Sequence, residues 1–342
     1  MSILLLICAI GPLVGQGAPA DGGPAAGREV ASQRPPADPV ARERATRAGA
    51  WLKRHTELVP AVAGGPPIPV IAWKDPTLEP AAPGLLAGYV ITDTLWAAEA
   101  LKTLDPVASR EMERGLCRLG WRGDGLREVL FRPIPVIKHR FVDSDLVHGT
   151  SLGRFPIGGG RTVDLRVFHL REDPGYTAGH PSLFAEHAVY QALFDFWGGR
   201  EDQARRRILD TVRDDRDRDP DDRIFWDDRA GVLVDFANRE EWLGYVRGER
   251  PSRRNSTFKL GVLLYAVRLL GLESEVGPRL EGMRRRLWEA QWEDGGVAHF
   301  VDIRGNGDVT RGRGATGEAT AIAILSETVE PSRAATDPAS PR

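Results

Sequence analysis

Cysteine and lysine are scarce in this sequence. The 342 residues include two cysteines and five lysines, so neither a disulfide framework nor a cysteine-rich zinc site is expected. The seven histidines form no His-x-x-x-His or Cys/His cluster, and no metal or cofactor is predicted. Lysine plus arginine number 46 against 48 acidic residues, and no element carries a basic stripe, which excludes nucleic acid as an expected partner.

The N-terminus resembles the export signal of a secreted protein. Ile3–Ile10 form an apolar block and Ala18-Pro19-Ala20 has the small-x-small pattern of a cleavage site, so residues 1–20 are predicted to be a signal peptide. The expected location is therefore secreted or periplasmic. The alternative is an uncleaved segment, which would be the only expected contact with a membrane. Cys117, the one cysteine beyond this segment, is predicted to be a small core residue on a helix.

The chain is predicted to form one domain at residues 38–328. A linker rich in Gly, Pro and Ala precedes it at 21–37, and a disordered tail follows at 329–342. Residues 131–181 interrupt the helical pattern of the domain as an irregular insertion. Within it, two segments alternate apolar and polar residues, which predicts a β-hairpin: Val136–Val142 and Arg161–Leu170.

Four segments are apolar almost all the way round, which indicates helices that are buried on every side. They are Ile91–Leu104, Ser182–Trp197, Asn255–Gly271 and Gly314–Thr328.

Arg-rich amphipathic helices alternate with these apolar ones. Two of them begin at Asp-Pro pairs, Asp38-Pro39 and Asp105-Pro106, and the others span Arg200–Val212 and Glu275–Trp292. The alternation predicts an all-α fold, an α/α toroid with inner and outer helices and a small β-hairpin insertion. In that arrangement, the N-terminal ends of the apolar helices meet at one mouth.

A family resemblance supports the same architecture. Leu287–Gly296 reads Leu-Trp-Glu-Ala-Gln-Trp-Glu-Asp-Gly-Gly, and with Gly317–Leu325 it resembles the squalene-cyclase-like repeat of the terpenoid-cyclase and protein-prenyltransferase superfamily. There, an outer helix ends in a turn with Gln and Gly, and an inner helix follows. The resemblance implies an α/α toroid, an architecture that also carries polysaccharide lyases, glycosidases and non-catalytic binding domains.

The chain departs from the catalytic motifs of that superfamily. The Asp-x-Cys zinc pair of the prenyltransferases is missing. Asp219-Pro-Asp-Asp222 matches the Asp-x-Asp-Asp acid of the cyclases, but it lies in a run of solvated charges at residues 213–223.

One charge near the start of each apolar helix gives four candidate catalytic residues: Asp93, Glu186, Lys259 and Glu318. Glu186 is predicted to lie a full turn into its helix, where a carboxylate needs a partner or has a raised pKa. Lys259 is a buried ammonium that needs a carboxylate or backbone partner. The alternatives are that Asp93 and Glu318 cap their own helices and that Glu186 forms a structural salt bridge.

Acidic turns and aromatic residues give the candidates for substrate binding. Acidic turns at the helix ends would ring one mouth and bind Ca²⁺ or sugar hydroxyls, or they only form turns before glycine. Aromatic side chains would stack on sugar rings, or they fill the core. The candidates are Trp96, His187, Tyr190, Asp124, Asp227, Asp228 and Asp294.

Two functions fit these residues. The first is a secreted carbohydrate-active enzyme, either a hydrolase with two carboxylates or a lyase in which Lys259 holds a uronate carboxylate. The second is a non-catalytic toroid that binds a ligand or acts as a scaffold. A terpene-cyclase-like or prenyltransferase-like enzyme has less support from the motifs. The expected ligand is a small molecule or an oligosaccharide.

Overall fold

The computed structural model describes residues 33, 36, 38–59, 66–71, 91–118, 135–141, 150–158, 161–169, 185–212, 224–227, 231–235, 252–304, 308–312 and 314–332. Within these ranges the fold is mainly helical, with small antiparallel sheets. The described helices are α1 (Pro39–Arg54), α2 (Ile91–Leu101), α3 (Pro106–Arg118), α4 (Ala185–Trp197), α5 (Glu201–Thr211), α6 (Thr257–Leu269), α7 (Glu273–Val276), α8 (Pro278–Glu289) and α9 (Gly317–Thr328).

The helix starts follow the local sequence signals. Asp38 accepts a hydrogen bond from the backbone N–H two residues on at 3.0 Å, and Asp105 from the N–H three residues on at 3.1 Å. Both Asp-Pro starts are therefore confirmed. The single helix predicted over Glu275–Trp292 is wrong in one respect: Gly277, at φ 59°, separates the short α7 from α8, which begins at Pro278.

Ten strands form four antiparallel sheets within the described ranges. Two sheets are two-stranded and two are three-stranded, the latter in the orders β3-β5-β4 and β10-β9-β8. The strands are β1 (Thr56–Val59), β2 (Ile68–Ile71), β3 (Pro135–Phe141), β4 (Thr150–Gly158), β5 (Arg161–His169), β6 (Ile224–Asp227), β7 (Val232–Asp235), β8 (Ser252–Ser256), β9 (Phe300–Arg304) and β10 (Val309–Arg311).

The predicted hairpin is part of a larger sheet. Strands β3 and β5 pair, as the alternation of their residues predicted, but β4 pairs with the other edge of β5, so the insertion holds three strands. The expectation of only one hairpin in an otherwise all-α fold was wrong, because three further small sheets are present. Several of their strands have only three to five residues, too short for alternation to identify them.

The apolar helices pack against one another, and each also packs against at least one amphipathic helix. Helix α9 lies between α2 and α6, and α6 also contacts α4. Among the amphipathic helices, α1 packs against α9, α3 against α2, α5 against α4, and α8 against α6. In α6, every residue except Arg268 is buried, and in α9 every residue except Glu318. The prediction that these helices are buried on every side is therefore confirmed for α6 and α9.

Helices α6 and α9 run in the same direction. Near their middle, a Cβ on Gly261 would overlap with the side chain of Ile322, so the two backbones approach closely there. Near their C-terminal ends, Arg268 of α6 donates to the carbonyl oxygen of Ser326 at 2.7 Å. The N-terminal ends of the two helices therefore lie on the same side of the domain.

The turn after α8 is fastened to α1. The Gln291 amide donates to the carbonyl oxygen of Arg44 at 2.9 Å, and its oxygen accepts from Arg47 at 2.9 Å. The indole N–H of Trp51 donates to Asp294 at 3.1 Å. This Gln- and Gly-containing turn thus joins the end of one amphipathic helix to another.

The segments that flank the predicted domain in sequence also make ordered contacts. Gln33, in the predicted linker, forms an antiparallel bridge with Val329, and the N–H of Ser332 donates to the carbonyl oxygen of Leu269 at 2.9 Å. Ordered contacts therefore extend into the first residues of the predicted tail.

Candidate active site

The candidate site is the carboxyl group of Asp93, the third residue of α2. Its side chain is 0% exposed and lies against the first residue of α9, where a Cβ on Gly317 would be 3.4 Å from Asp93 Oδ2. Among the described residues, no side chain pairs with either carboxyl oxygen and no well-formed hydrogen bond reaches them; only the backbone N–H of Glu318 interacts weakly with the carboxyl group. A buried carboxyl without a partner is costly, and such groups are concentrated at functional sites.

Burial determines the protonation of this group. It raises the pKa of Asp93 from its usual 3.8 to about 7, and the backbone N–H of Glu318 opposes this rise only in part. The N-terminal end of a helix also favours a negative charge, by about 0.3–1 kcal/mol and at most about 2 kcal/mol. Removing a carboxylate from water costs several kcal/mol, so burial outweighs the helix end. Asp93 can therefore be protonated near neutral pH.

The other buried acids of the apolar helices have partners. Glu327, near the end of α9, accepts hydrogen bonds from Arg268 at 2.9 Å, from Arg284 at 3.0 Å and from Trp288 at 3.0 Å. These contacts join α9 to α6 and α8, which indicates a structural role.

Asp195 and Glu99 are likewise paired. In α4, Asp195 binds Arg200 at 2.7 Å and Arg207 at 2.6 Å. In α2, Glu99 binds Lys102 at 2.7 Å; burial raises the pKa of Glu99, and Lys102 opposes the rise. The unpartnered state of Asp93 is therefore not a general property of the apolar helices.

Strand β2 covers the Asp93 site. A Cβ on Gly317 would overlap with Ile71 Cγ2, so the end of this strand lies directly over the start of α9. The N–H of Ile71 donates to Thr94 Oγ1 at 3.0 Å, which joins the strand to the residue that follows Asp93. The glycine therefore allows three elements to meet at one carboxyl group.

The other two charged candidates with described side chains lie on neighbouring elements. Glu318 is the second residue of α9, half-buried, and follows directly on the glycine that Asp93 contacts. Its helix is capped by Thr316, whose hydroxyl accepts from the N–H of Ala319 at 3.3 Å. Lys259 is buried and is the third residue of α6. The structure thus brings Asp93 and the backbone of Glu318 together.

Sequence reasoning missed His299. Its carbonyl oxygen accepts from the N–H of Thr257, the first residue of α6, at 3.0 Å. Its ring Nδ1 lies 3.5 Å from the hydroxyl of Thr316, the N-cap of α9. His299 is buried and links the N-terminal ends of α6 and α9. A single histidine flanked by Ala298 and Phe300 gives no local signal of such a position.

The aromatic candidates lie in the core. The rings of Trp96 in α2 and Phe258 in α6 are 5.6 Å apart and edge-on, and Tyr190 in α4 lies 6.4 Å from the same Phe258 ring. Trp96 and Tyr190 are both buried. Phe258 therefore joins three apolar helices near the start of α6, and the two candidate side chains pack there against protein.

The remaining candidates are placed as follows. Asp294 is exposed, and both its oxygens accept hydrogen bonds, one from Gly296 N–H within the turn at 3.0 Å and one from Trp51 of α1 at 3.1 Å. Asp227 is the last residue of strand β6. Glu186 and His187 lie in the described helix α4 (Ala185–Trp197). Their side chains and the residues before Ala185 are outside the described part, so the depth of Glu186 in its helix stays a prediction. Asp124, Asp228 and Asp219-Pro-Asp-Asp222 lie outside the described residues.

No group of three or more His, Cys, Asp or Glu side chains in the described ranges is arranged to hold a metal ion. Cys117 is exposed on α3, so the prediction that it is a core residue was wrong: α3 buries Met112 and Leu116 and presents Cys117 on its other face.

None of the described helices combines the length and the apolar character that crossing a membrane requires. No family model, no curated protein and no solved structure matches the chain.

Proposed function

We propose that the chain is a secreted α/α toroid that acts as an acid–base enzyme, with Asp93 as its general acid. The proposed substrates are oligosaccharides or polysaccharides. The observation that carries the catalytic part is the buried, unpartnered carboxyl of Asp93.

Several observations support the toroid. Apolar helices pack side by side, and each has an amphipathic helix packed against it. The Gln291 turn ends one amphipathic helix and leads towards the apolar α9, in the order of the squalene-cyclase-like repeat. The N-terminal ends of α2, α6 and α9 lie near one another, through Asp93 with Gly317 and through His299.

The protonation of Asp93 supports its proposed role. A general acid works best when its pKa is near the working pH, because it then both carries the proton and releases it readily. Burial brings the pKa of Asp93 to about 7. The buried carboxylates Asp195 and Glu327 are instead paired with arginines, which indicates a structural role for both.

Whether the proposed enzyme is a hydrolase or a lyase depends on which other charged group acts together with Asp93. Hydrolysis of a glycosidic bond needs a second carboxylate. Glu318, the second residue of α9, directly follows the glycine that Asp93 contacts and is the candidate for this role. In a lyase, Lys259 would hold a uronate carboxylate instead. The predicted signal peptide favours an extracellular polymer as the substrate.

One observation supports the second candidate function, a non-catalytic toroid. Trp96, Phe258 and Tyr190 pack against one another near the start of α6. A core filled in this way favours a non-catalytic binding or scaffold toroid.

An activity screen tests the proposal. Purified full-length protein is incubated with a panel of neutral and uronate-containing polysaccharides, and both new reducing ends and the ultraviolet absorbance of unsaturated uronates are followed. We expect activity on at least one polymer and a loss of about 100-fold or more in Asp93→Asn, since general acid–base catalysis contributes that much.

Asp195→Asn is the matched control, because this aspartate is buried on another apolar helix but is paired. We expect its folded fraction to retain activity. Full activity in Asp93→Asn would overturn the assignment of the acid. A thermal shift with an oligosaccharide but no turnover of any polymer would favour the binding toroid instead.

A further inference from the structure

The cover over Asp93 is built from strand β2 and has no charged residue. Its sequence is Ile-Pro-Val-Ile at residues 68–71, and all four residues are buried. At its end, Ile71 lies over Gly317 beside the Asp93 carboxyl. An aliphatic side chain offers this carboxyl neither a hydrogen bond nor a charge, and it keeps water away.

One hydrogen bond fixes the end of this strand to the helix that carries the acid. Ile71 N–H donates to Thr94 Oγ1 at 3.0 Å, and Thr94 is fully buried. The other end of the strand is held elsewhere: Ile68 and Pro69 pack over Gly115 of α3, where a Cβ would clash with Ile68 Cγ2. The strand therefore has two separate attachments, and only that of Ile71 lies at Asp93.

We propose that Ile71 and Thr94 are positioning residues for Asp93: Ile71 shields the carboxyl from water, and Thr94 holds Ile71 in place. This inference rests on the proposed role of Asp93 as the acid. It predicts that the protonation of Asp93 responds to changes at these two residues and not to equal changes at the far end of the same strand.

The test measures the titration of Asp93 by carbon NMR of the full-length protein labelled at aspartate carboxyl carbons, with Asp93→Asn to assign the signal. Of the elements that meet at this carboxyl, β2 has no ionisable side chain. The start of α9 contributes Glu318, and the segment before it contributes His299. Their titration is followed in the same samples.

Ile71→Ala and Ile68→Ala form a matched pair on one strand. Both remove the same atoms from a fully buried site, so both lose comparable apolar burial. In Ile71→Ala, we expect water to reach the carboxyl and the pKa of Asp93 to fall from about 7 toward 3.8. In Ile68→Ala, it should stay near 7. Equal values in the two variants would overturn the proposal.

Two substitutions of Thr94 form a second matched pair that changes the packing less. Thr94→Val removes the acceptor of the Ile71 N–H at little change in volume, whereas Thr94→Ser keeps the hydroxyl. We expect faster hydrogen exchange at the Ile71 amide and a lower Asp93 pKa in Thr94→Val only. If the hydrogen-exchange rate of the Ile71 amide and the pKa of Asp93 are both unchanged in Thr94→Val, the role of Thr94 is refuted, even if Ile71→Ala does not fold.

The readout needs no substrate, so it separates this inference from the proposed function. If the pKa of Asp93 changes as expected but the protein cleaves no polymer, the positioning role of Ile71 and Thr94 is supported and the proposed enzyme activity is overturned. If activity depends on Asp93 but its pKa is the same in the Ile71 and Thr94 variants, the enzyme activity is supported and the positioning role is overturned.

Discussion

Replacing Asp93 by asparagine should make the protein more stable at neutral and alkaline pH. The pKa of Asp93 is about 7 in the fold and 3.8 when the side chain is exposed, so between these values the folded state binds a proton that the unfolded state has lost. Stability from this group is therefore fully present below about pH 4 and is lost as the pH rises through 7. Asparagine, which is neutral and of nearly the same shape, has no such dependence.

The expected magnitude follows from the difference between the two pKa values. About three pH units at about 1.4 kcal/mol each give an advantage of about 4 kcal/mol for Asp93→Asn at pH 8, as an upper estimate. The two proteins should have equal stability near pH 4, and the difference should grow by about 1.4 kcal/mol per pH unit until about pH 7.

Urea unfolding at a series of pH values, from about pH 5 to about pH 8, measures this difference directly, because all other titrating groups are shared by the two proteins. Asp195→Asn is again the control. Its carboxyl is held by Arg200 and Arg207, so its replacement should destabilise the protein. A free-energy difference between wild type and Asp93→Asn that is the same at pH 5 and pH 8 would refute the assignment of Asp93 as a buried, titrating acid.

Two further predictions concern stability at other points of the fold. Glu327→Ala leaves the half-buried Arg268 and Arg284 and the buried Trp288 without their acceptor and should cost about 3–5 kcal/mol in urea unfolding. Glu281→Ala, at an exposed residue, should stay within about 0.5 kcal/mol, and equal costs would contradict the structural role of Glu327. Gly317→Ala, usually favourable by about 1 kcal/mol inside a helix, should instead destabilise by about 1–3 kcal/mol because its Cβ overlaps with Ile71. The cost should shrink in an Ile71→Ala background, and stabilisation by Gly317→Ala alone would show that the close approach is absent.

The sequence identified the helices better than the strands. Asp-Pro starts and continuous apolar surfaces are local signals, so α1, α3, α6 and α9 could be predicted to within a few residues. A strand is stabilised by its partner, and β8 pairs with β9 across the whole of α6, α7 and α8. No property of either segment by itself specifies that pairing.

The sequence also identified Asp93, but only as one of four equivalent charges. A carboxylate near the start of a helix has the same local pattern whether it caps its own helix or lies buried against another. A second set of buried acids was not predicted: Glu99, Asp195 and Glu327 lie in the later turns of their helices, where the sequence carries no capping or first-turn signal. Their pairing depends on Arg and Lys side chains, most of them on other helices.

By itself, then, the sequence determined where the helices begin, which of them are buried, and that a few charges must be buried with them, because these properties arise from neighbours within a turn or two along the chain. The tertiary structure alone decided which of those charges has no partner. The described environment of Asp93 includes Ile71 and Gly317, which lie far from it along the chain, and the free energy of a buried charge is set by whatever surrounds it in space.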